Sequence, residues 1–217
     1  MKIFRTIARF IYWLSTLGLR KGPHVTRYYM YRHLSKYSTP RPQELKVLSI
    51  SDSAALGKLL GFVDSQMVNV SYPDCNILNL PFKDGEFDAV VSDLVLEHVN
   101  GCPQQAIDET FRVLKPAGIA LHTTNFICPI HGAPNDYWRF TPNALELLAA
   151  KHGSIIDVGG WGNPYLWLFV ALGLRYVPVP HTRWHPLHWV ATKNVETWPA
   201  VTWVLASKFD IEFFRKL

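Results

Sequence analysis

Between positions 131 and 139 the chain gathers a histidine, a carboxylate, two aromatic rings and a guanidinium: His131, Asp136, Tyr137, Trp138 and Arg139. An imidazole can take a hydroxyl proton near neutral pH. A guanidinium can grip a carboxylate or phosphate in two-pronged fashion, and aromatic rings can lie against the face of a sugar. His131 and Asp136 are thus candidate catalytic groups, and Tyr137, Trp138 and Arg139 candidate substrate contacts. Each also has a structural reading, since Asp136 and Arg139 could equally form an ion pair that braces their own loop. His98 is the second candidate base among nine histidines, with helix packing as its alternative role.

Other groups carry less chemistry. Cys75, Cys102 and Cys128 share no metal-like or CxxC spacing and read as reduced thiols. His181, His185 and His188 have ligand-like spacing but no carboxylate or cysteine beside them, so no metal site is expected.

The elements that would position these residues follow from periodicity. From Leu45 onward, short apolar runs alternate with helical ones, the pattern of an α/β domain with a parallel sheet. Strands are expected at 46–50, 66–70, 87–92, 119–123, 155–158 and 200–206. Helices are expected at 54–60, at 103–114 with Pro103 in the first turn, and at 142–151 with Thr141 as its cap. His98 would then follow the strand at 87–92, and the 126–139 loop would follow the strand at 119–123. Both places open on the cleft at the carboxyl ends of the strands, where open α/β sheets bind ligands.

Residues 1–42 read as a basic helical extension and 43–217 as the main domain, in which 159–199 is an aromatic-rich insertion. The net charge of +5 is concentrated at the start, where residues 1–41 contain nine Lys and Arg and no Asp or Glu. Ile3, Phe4, Ile7, Phe10, Ile11, Leu14 and Leu17 recur at helical spacing, with Lys2, Arg5, Arg9 and Thr16 on the other side. No small-residue cleavage pattern follows as in a signal peptide, and the roughly 20 unbroken apolar residues of a membrane span are missing. Two readings stay open: a helix lying in an anionic membrane interface, or one docked on the protein's own core. Five tryptophans and the apolar run 165–174 within 159–199 suit the same membrane surface, an acceptor-site lid or a dimer contact.

LPFKDGEFDAVVSDLVLEHV followed by ETFRVLKPAGIALHTT resembles the motifs of class I S-adenosylmethionine-dependent methyltransferases, over about residues 45–158. HGAPNDYWRFTPNAL is similar to a segment of bacterial members associated with cell-surface polysaccharide synthesis. The resemblance implies a Rossmann-like, seven-stranded, mostly parallel sheet with flanking helices, S-adenosyl-L-methionine as cofactor, and O-methylation of a sugar or other small or glycan acceptor. It implies a cytoplasmic enzyme, peripheral at the inner face of the membrane if the first helix binds lipid.

Carried onto this chain, the family's glycine-rich turn falls on Ser49-Ile50-Ser51-Asp52-Ser53-Ala54-Ala55. Ser49, Ser51 and Ser53 are therefore candidate cofactor contacts, with Ser92 at the end of the 87–92 strand. Asp74 stands in for the acid that would hold the ribose, and Asn76 for the adenine-side carboxylate. The altered turn leaves a second reading, a catalytically degenerate methyltransferase fold serving as a scaffold in a membrane glycan-assembly complex. No G-x-G-x-x-G follows a strand, which sets aside a NAD-type dehydrogenase. The apolar face of the first helix and the lack of an RNA-binding motif argue against nucleic acid as partner.

Overall fold

The computed structural model describes residues 2–62, 66–132 and 134–209. In chain order the elements are α1 (Lys2–Ser15), β1 (Lys21–His24), α2 (Val25–Leu34), β2 (Lys46–Ile50), α3 (Ala54–Leu59), β3 (Gln66–Val70) and β4 (Phe87–Asp93). They continue with α4 (Pro103–Val113), β5 (Leu114–Asn125), α5 (Pro142–Ala149), β6 (Gly153–Trp161), α6 (Leu166–Ala171), β7 (Pro178–Pro180), α7 (Pro186–Thr192) and β8 (Val201–Lys208). Two compact units result: Met1–Lys36 with Trp161–Val201, and Tyr37–Gly160 with Thr202–Leu217. The aromatic-rich stretch expected as an insertion in the main domain is thus built together with the N-terminal extension.

The larger unit is the α/β domain. Its sheet has the order β3-β2-β4-β5-β8-β6, with β2 parallel to both β3 and β4, and β4 parallel to β5. Six strands form it among the described residues, where seven were expected. Residues 71–86, between β3 and β4, contain Pro73, Asn76 and Pro81, and supply turns and one isolated bridge, Asn76 to Asn79, in place of a strand. Asn76 helps to turn the chain, because its Oδ1 accepts the Leu78 N–H at 3.0 Å.

The core explains these elements. Leu48, Val90 and Ala120 of the strands pack with Ile107 and Phe111 of α4, all 0–1% exposed. Full burial of such a side chain contributes about 1.5–3 kcal/mol. α4 buries Ala106, Ile107, Thr110 and Phe111, the face that periodicity picks out. Thr141 Oγ1 accepts the Ala144 N–H at 3.1 Å and caps α5.

β5 is longer than expected because the Lys115–Gly118 turn lies within it as a register shift: Phe87 pairs with Leu114, but Ala89 with Ile119. Ala117 takes a left-handed φ of 59° there. At Gly118 an added Cβ would lie 2.9 Å from the Lys115 carbonyl oxygen, so only glycine fits without a shift.

The smaller unit pairs β1 antiparallel with β7 and packs α2 against α7. Val25, Met30, Leu34, Val179, Leu187 and Ala191 are fully buried there. α1 buries none of its residues. Its polar groups face protein instead: Arg5 Nε donates to the Ala171 carbonyl at 3.1 Å, Arg9 Nε to Gly173 at 3.3 Å, and Tyr12 Oη to Pro178 at 2.7 Å. Ile3 and Phe4 stay more than 70% exposed. The structure therefore lacks the core docking of the apolar face that was one of the two readings. Among the described residues, no helix is long and apolar enough to cross a membrane.

Candidate active site

A cavity of about 420 Å³ opens in the larger unit at the carboxyl ends of β2, β3 and β4, within the roughly 300–1,000 Å³ of small-molecule sites. Its walls come from Ile50 and Ser51 after β2, Tyr72 and Cys75 to Leu78 after β3, Asp93 to Val95, His98 to Asn100 after β4, and Asn135 and Tyr137 from the loop after β5.

The turn after β2 keeps its tight shape without glycine. Ser51 and Asp52 take φ values of 56° and 55°, and Ser51 N–H donates to the Val70 carbonyl at 2.7 Å. Left-handed backbone costs an ordinary L-residue roughly 1–2 kcal/mol. Leu94, on the opposite wall, also has a left-handed φ of 58°. Backbone strain of this kind gathers where a ligand must be approached closely.

Of the cofactor candidates, Ser51 and Asn76 line the cavity. Ser49 is fully buried in β2, and its hydroxyl has no hydrogen-bond partner. Ser53 is also buried; its hydroxyl donates to the Ile50 carbonyl and accepts the Asp93 N–H at 2.7 Å. It shapes the wall rather than lining it. Asp74 is exposed and lies outside the lining. Ser92 is a correction: its Oγ lies 2.7 Å from His122 Nδ1 inside the core, because alternation along β4 puts it on the opposite side from Asp93. Burial pushes the His122 imidazole down to about 4, so it stays neutral. The reading from sequence missed Tyr72 and Asp93, although a carboxylate one residue beyond the expected strand could have signalled Asp93.

The acceptor-side candidates gather around a residue that the sequence reading passed over. Glu97 is fully buried within the helical turn Leu96–His98. Its carboxylate accepts from Thr124 Oγ1 and Asn125 Nδ2, each at 2.8 Å, and its carbonyl accepts the Tyr137 and Trp138 N–H groups at 2.8 and 3.1 Å. Burial raises its pKa, opposed by these hydrogen bonds and by the two nearby histidines. The rings of His98 and His131 meet edge to face with centroids 5.0 Å apart. One potential ligand atom each from Glu97, His98 and His131 lies within 4.8 Å of the others, where no metal site was expected.

The bracing reading of the ion pair matches the geometry. Arg139 binds both carboxylate oxygens of Asp136 and also donates to the Trp138 carbonyl at 2.7 Å and the Cys128 carbonyl at 3.3 Å. The Arg139 guanidinium holds the Asp136 carboxyl well below the usual carboxylate range. Asp136 Oδ2 in turn accepts the His131 N–H at 2.9 Å. Trp138 is likewise anchored, through Nε1 to the Val99 carbonyl at 2.9 Å. Tyr137 remains a cavity-lining, 45% exposed ring.

In the smaller unit, His181 Nδ1 lies 2.9 Å from Tyr28 Oη, His188 donates to the Pro180 carbonyl at 2.8 Å, and His185 Nδ1 accepts the Leu187 N–H at 3.2 Å. These three histidines are spent on local structure.

Residues 45–122 match the family described as a methyltransferase domain. A 2-phytyl-1,4-naphtoquinone methyltransferase from Nostoc sp. is 44% identical over 48 residues, 22% of this chain, and the match spans only 20% of that protein. The complex of the Haloferax volcanii Trm112 methyltransferase activator with its methyltransferase superposes with a TM-score of 0.55 at 12% identity, over 85% of this chain and 90% of that one. A Galdieria sulphuraria protein assigned as a sarcosine dimethylglycine methyltransferase gives 0.50 at 13%, over 94% and 98%. The [4+2]-cyclase SpnF gives 0.50 at 14%, over 83% and 80%. At these identities the structural likeness is one of fold, and a cyclase among them illustrates that the chemistry resides in the site.

Proposed function

We propose that this chain, which carries a class I S-adenosylmethionine-dependent methyltransferase domain, methylates an oxygen of a small, sugar-like acceptor. The carrying observation is the cavity at the strand ends, which is lined both by Ser51 of the strained turn and by His98, whose ring meets that of His131.

The residues present fit the cofactor. The left-handed turn at Ser51 brings backbone to the cavity, where Tyr72 offers a ring, Asn76 an amide and Asp93 a carboxylate. When bound, S-adenosylmethionine supplies an electrophilic sulfonium methyl group. Asp93 and the Glu97 cluster provide negative charge near a cationic ligand. His98, at the cavity wall, is placed to take the acceptor hydroxyl proton, and His131 beside it to share that proton. Tyr137 offers a ring face to the acceptor. Arg139 fixes the loop instead of gripping the substrate.

Calorimetry and thermal shift with S-adenosylmethionine and its demethylated product test the reading. Saturable binding with stabilisation is expected. No heat and no stabilisation at millimolar ligand would leave the degenerate scaffold as the function. Given binding, His98→Ala or His131→Ala should lower turnover roughly 10²–10⁴-fold with cofactor affinity unchanged. A cell-surface glycan or its lipid-linked precursor is the acceptor class this reading favours, since a polyhydroxylated ring suits Tyr137 and a paired base.

The smaller unit supports a role at an anionic membrane. α1 turns its polar side to protein carbonyls and its apolar side outward, which inverts the arrangement of a core-docked helix. Leu168, Tyr176, Trp184 and Trp189 of the same unit are also 46–70% exposed. Apolar and aromatic side chains beside Lys and Arg match the bilayer interface.

A further inference from the structure

Two imidazoles and one carboxylate meet beside the cavity, which His98 lines, and their surroundings are those of ligands held for an ion. His98 Nδ1 lies 2.5 Å from the Asn135 carbonyl oxygen. His131 Nδ1 lies 3.2 Å from Asp136 Oδ2 and 3.3 Å from the Pro129 carbonyl oxygen. An acceptor beside Nδ1 puts the ring proton there and leaves Nε2 as the lone-pair donor of each histidine; that of His131 lies 3.5 Å from Asn125 Nδ2, a long contact that an ion would replace. Thr124 and Asn125 fix the carboxylate of Glu97. Each of the three groups thus has an outer partner that sets its orientation, as the ligands of a bound metal usually do.

We propose that Glu97, His98 and His131 bind a divalent transition-metal cation, which takes the oxygen atoms of the acceptor in its remaining positions. The three ligand atoms lie within 4.8 Å of one another. Bonds of about 2.0–2.2 Å to a single ion would draw these atoms closer together. Two nitrogens and one carboxylate select Zn²⁺, Co²⁺ or Fe²⁺ over Mg²⁺ or Ca²⁺, which prefer oxygen. His98 also lines the cavity, so an acceptor bound there would lie beside the ion. Adjacent oxygens, as in a vicinal diol or a hydroxy acid, would chelate there, which narrows the acceptor class. With both histidine lone pairs on the metal, His98 and His131 would act as ligands and no longer as the base. The proton of a coordinated hydroxyl would pass to water, and its oxygen would use the freed electron pair for the new O–CH₃ bond as the S–CH₃ bond of the cofactor breaks with its pair left on sulfur. The purpose of the site rests on the methyltransferase reading, whereas the binding of the ion does not.

The test is titration of the chelator-treated full-length protein with Zn²⁺ by calorimetry and with Co²⁺ by visible absorption, without cofactor or acceptor. One equivalent should bind and give a Co²⁺ ligand-field band. His98→Ala and His131→Ala should each weaken binding at least about 10-fold, with the melting of the ion-free protein unchanged because both rings are partly exposed. Asn125→Ala should weaken it roughly 10–100-fold through the carboxylate. Absence of saturable binding would overturn the proposal. So would binding that survives both histidine substitutions, or that disappears in His185→Ala, which would put the ion elsewhere. Cofactor calorimetry succeeds or fails independently, so a failed metal site and a failed methyltransferase reading give different results.

Discussion

Ser53 and Asp93 are tied across the ends of β2 and β4: the Ser53 hydroxyl accepts the Asp93 N–H at 2.7 Å while donating to the Ile50 carbonyl. At a position where the resemblance to methyltransferases implies a glycine, this chain uses a buried side chain to join the two strands that frame the cavity. Ser53→Ala removes that acceptor and should cost about 1–3 kcal/mol, because the lost bond lies in a mostly buried setting. Urea denaturation measures it. Stability equal to that of the parent would mean the tie is incidental.

Ser51 and Ala117 occupy left-handed backbone without being glycine. Their substitution by glycine relieves roughly 1–2 kcal/mol of local strain, less about 0.5–1 kcal/mol for the freer unfolded chain. Ser51→Gly and Ala117→Gly should therefore each raise stability by about 0.5–1 kcal/mol. Denaturant midpoints that fall for both variants would show that these turns are not strained.

His122 is held neutral in the core between Ser92 Oγ and Thr110 Oγ1. Its pKa is lowered from 6.5 to about 4, so the folded state favours the uncharged ring. That contribution is complete above the unfolded value of 6.5 and is lost as pH falls toward 4. It amounts to at most about 3.5 kcal/mol, since a tenfold change in proton affinity is worth about 1.4 kcal/mol. Stability measured from pH 7 to pH 4 should fall more steeply in the parent than in His122→Gln. Parallel curves would assign the acid sensitivity to other groups.

The outward face of α1 predicts which substitutions separate membrane binding from folding. Phe4→Asp with Ile11→Asp should reduce flotation with phosphatidylglycerol vesicles by more than about 10-fold, since each apolar side chain contributes about 1.5–3 kcal/mol when buried. Melting should not change, because both residues are more than half exposed. Neutral phosphatidylcholine vesicles should bind the parent more weakly, each Lys or Arg near an anionic surface contributing about 1 kcal/mol. Lowered melting with undiminished flotation would place the helix in the protein's own packing.

The sequence by itself determined the local elements and the fold class. Lys46–Ile50 and Gln66–Val70 fall where their periodicity places them, Pro142–Ala149 lies within the helix expected at 142–151, and α4 buries the face that its spacing marks. Period-2 and period-3.6 patterns are local and survive in the chain read alone. Only the tertiary structure decided which side chains meet. Alternation along β4 fixes that Ser92 and Asp93 point to opposite sides, but the packing of the sheet chooses which side is core, and it gave Ser92 to His122 and Asp93 to the cavity. Glu97 gained its role from Thr124 and Asn125, 27 and 28 residues away. Arg139 was claimed by Asp136 in its own loop, since a neighbouring carboxylate held in place reaches it before any ligand does. Residues 161–201 joined the first 36 residues through contacts more than 150 positions apart, such as Arg5 to Ala171, and no periodicity along the chain encodes a pairing over that distance.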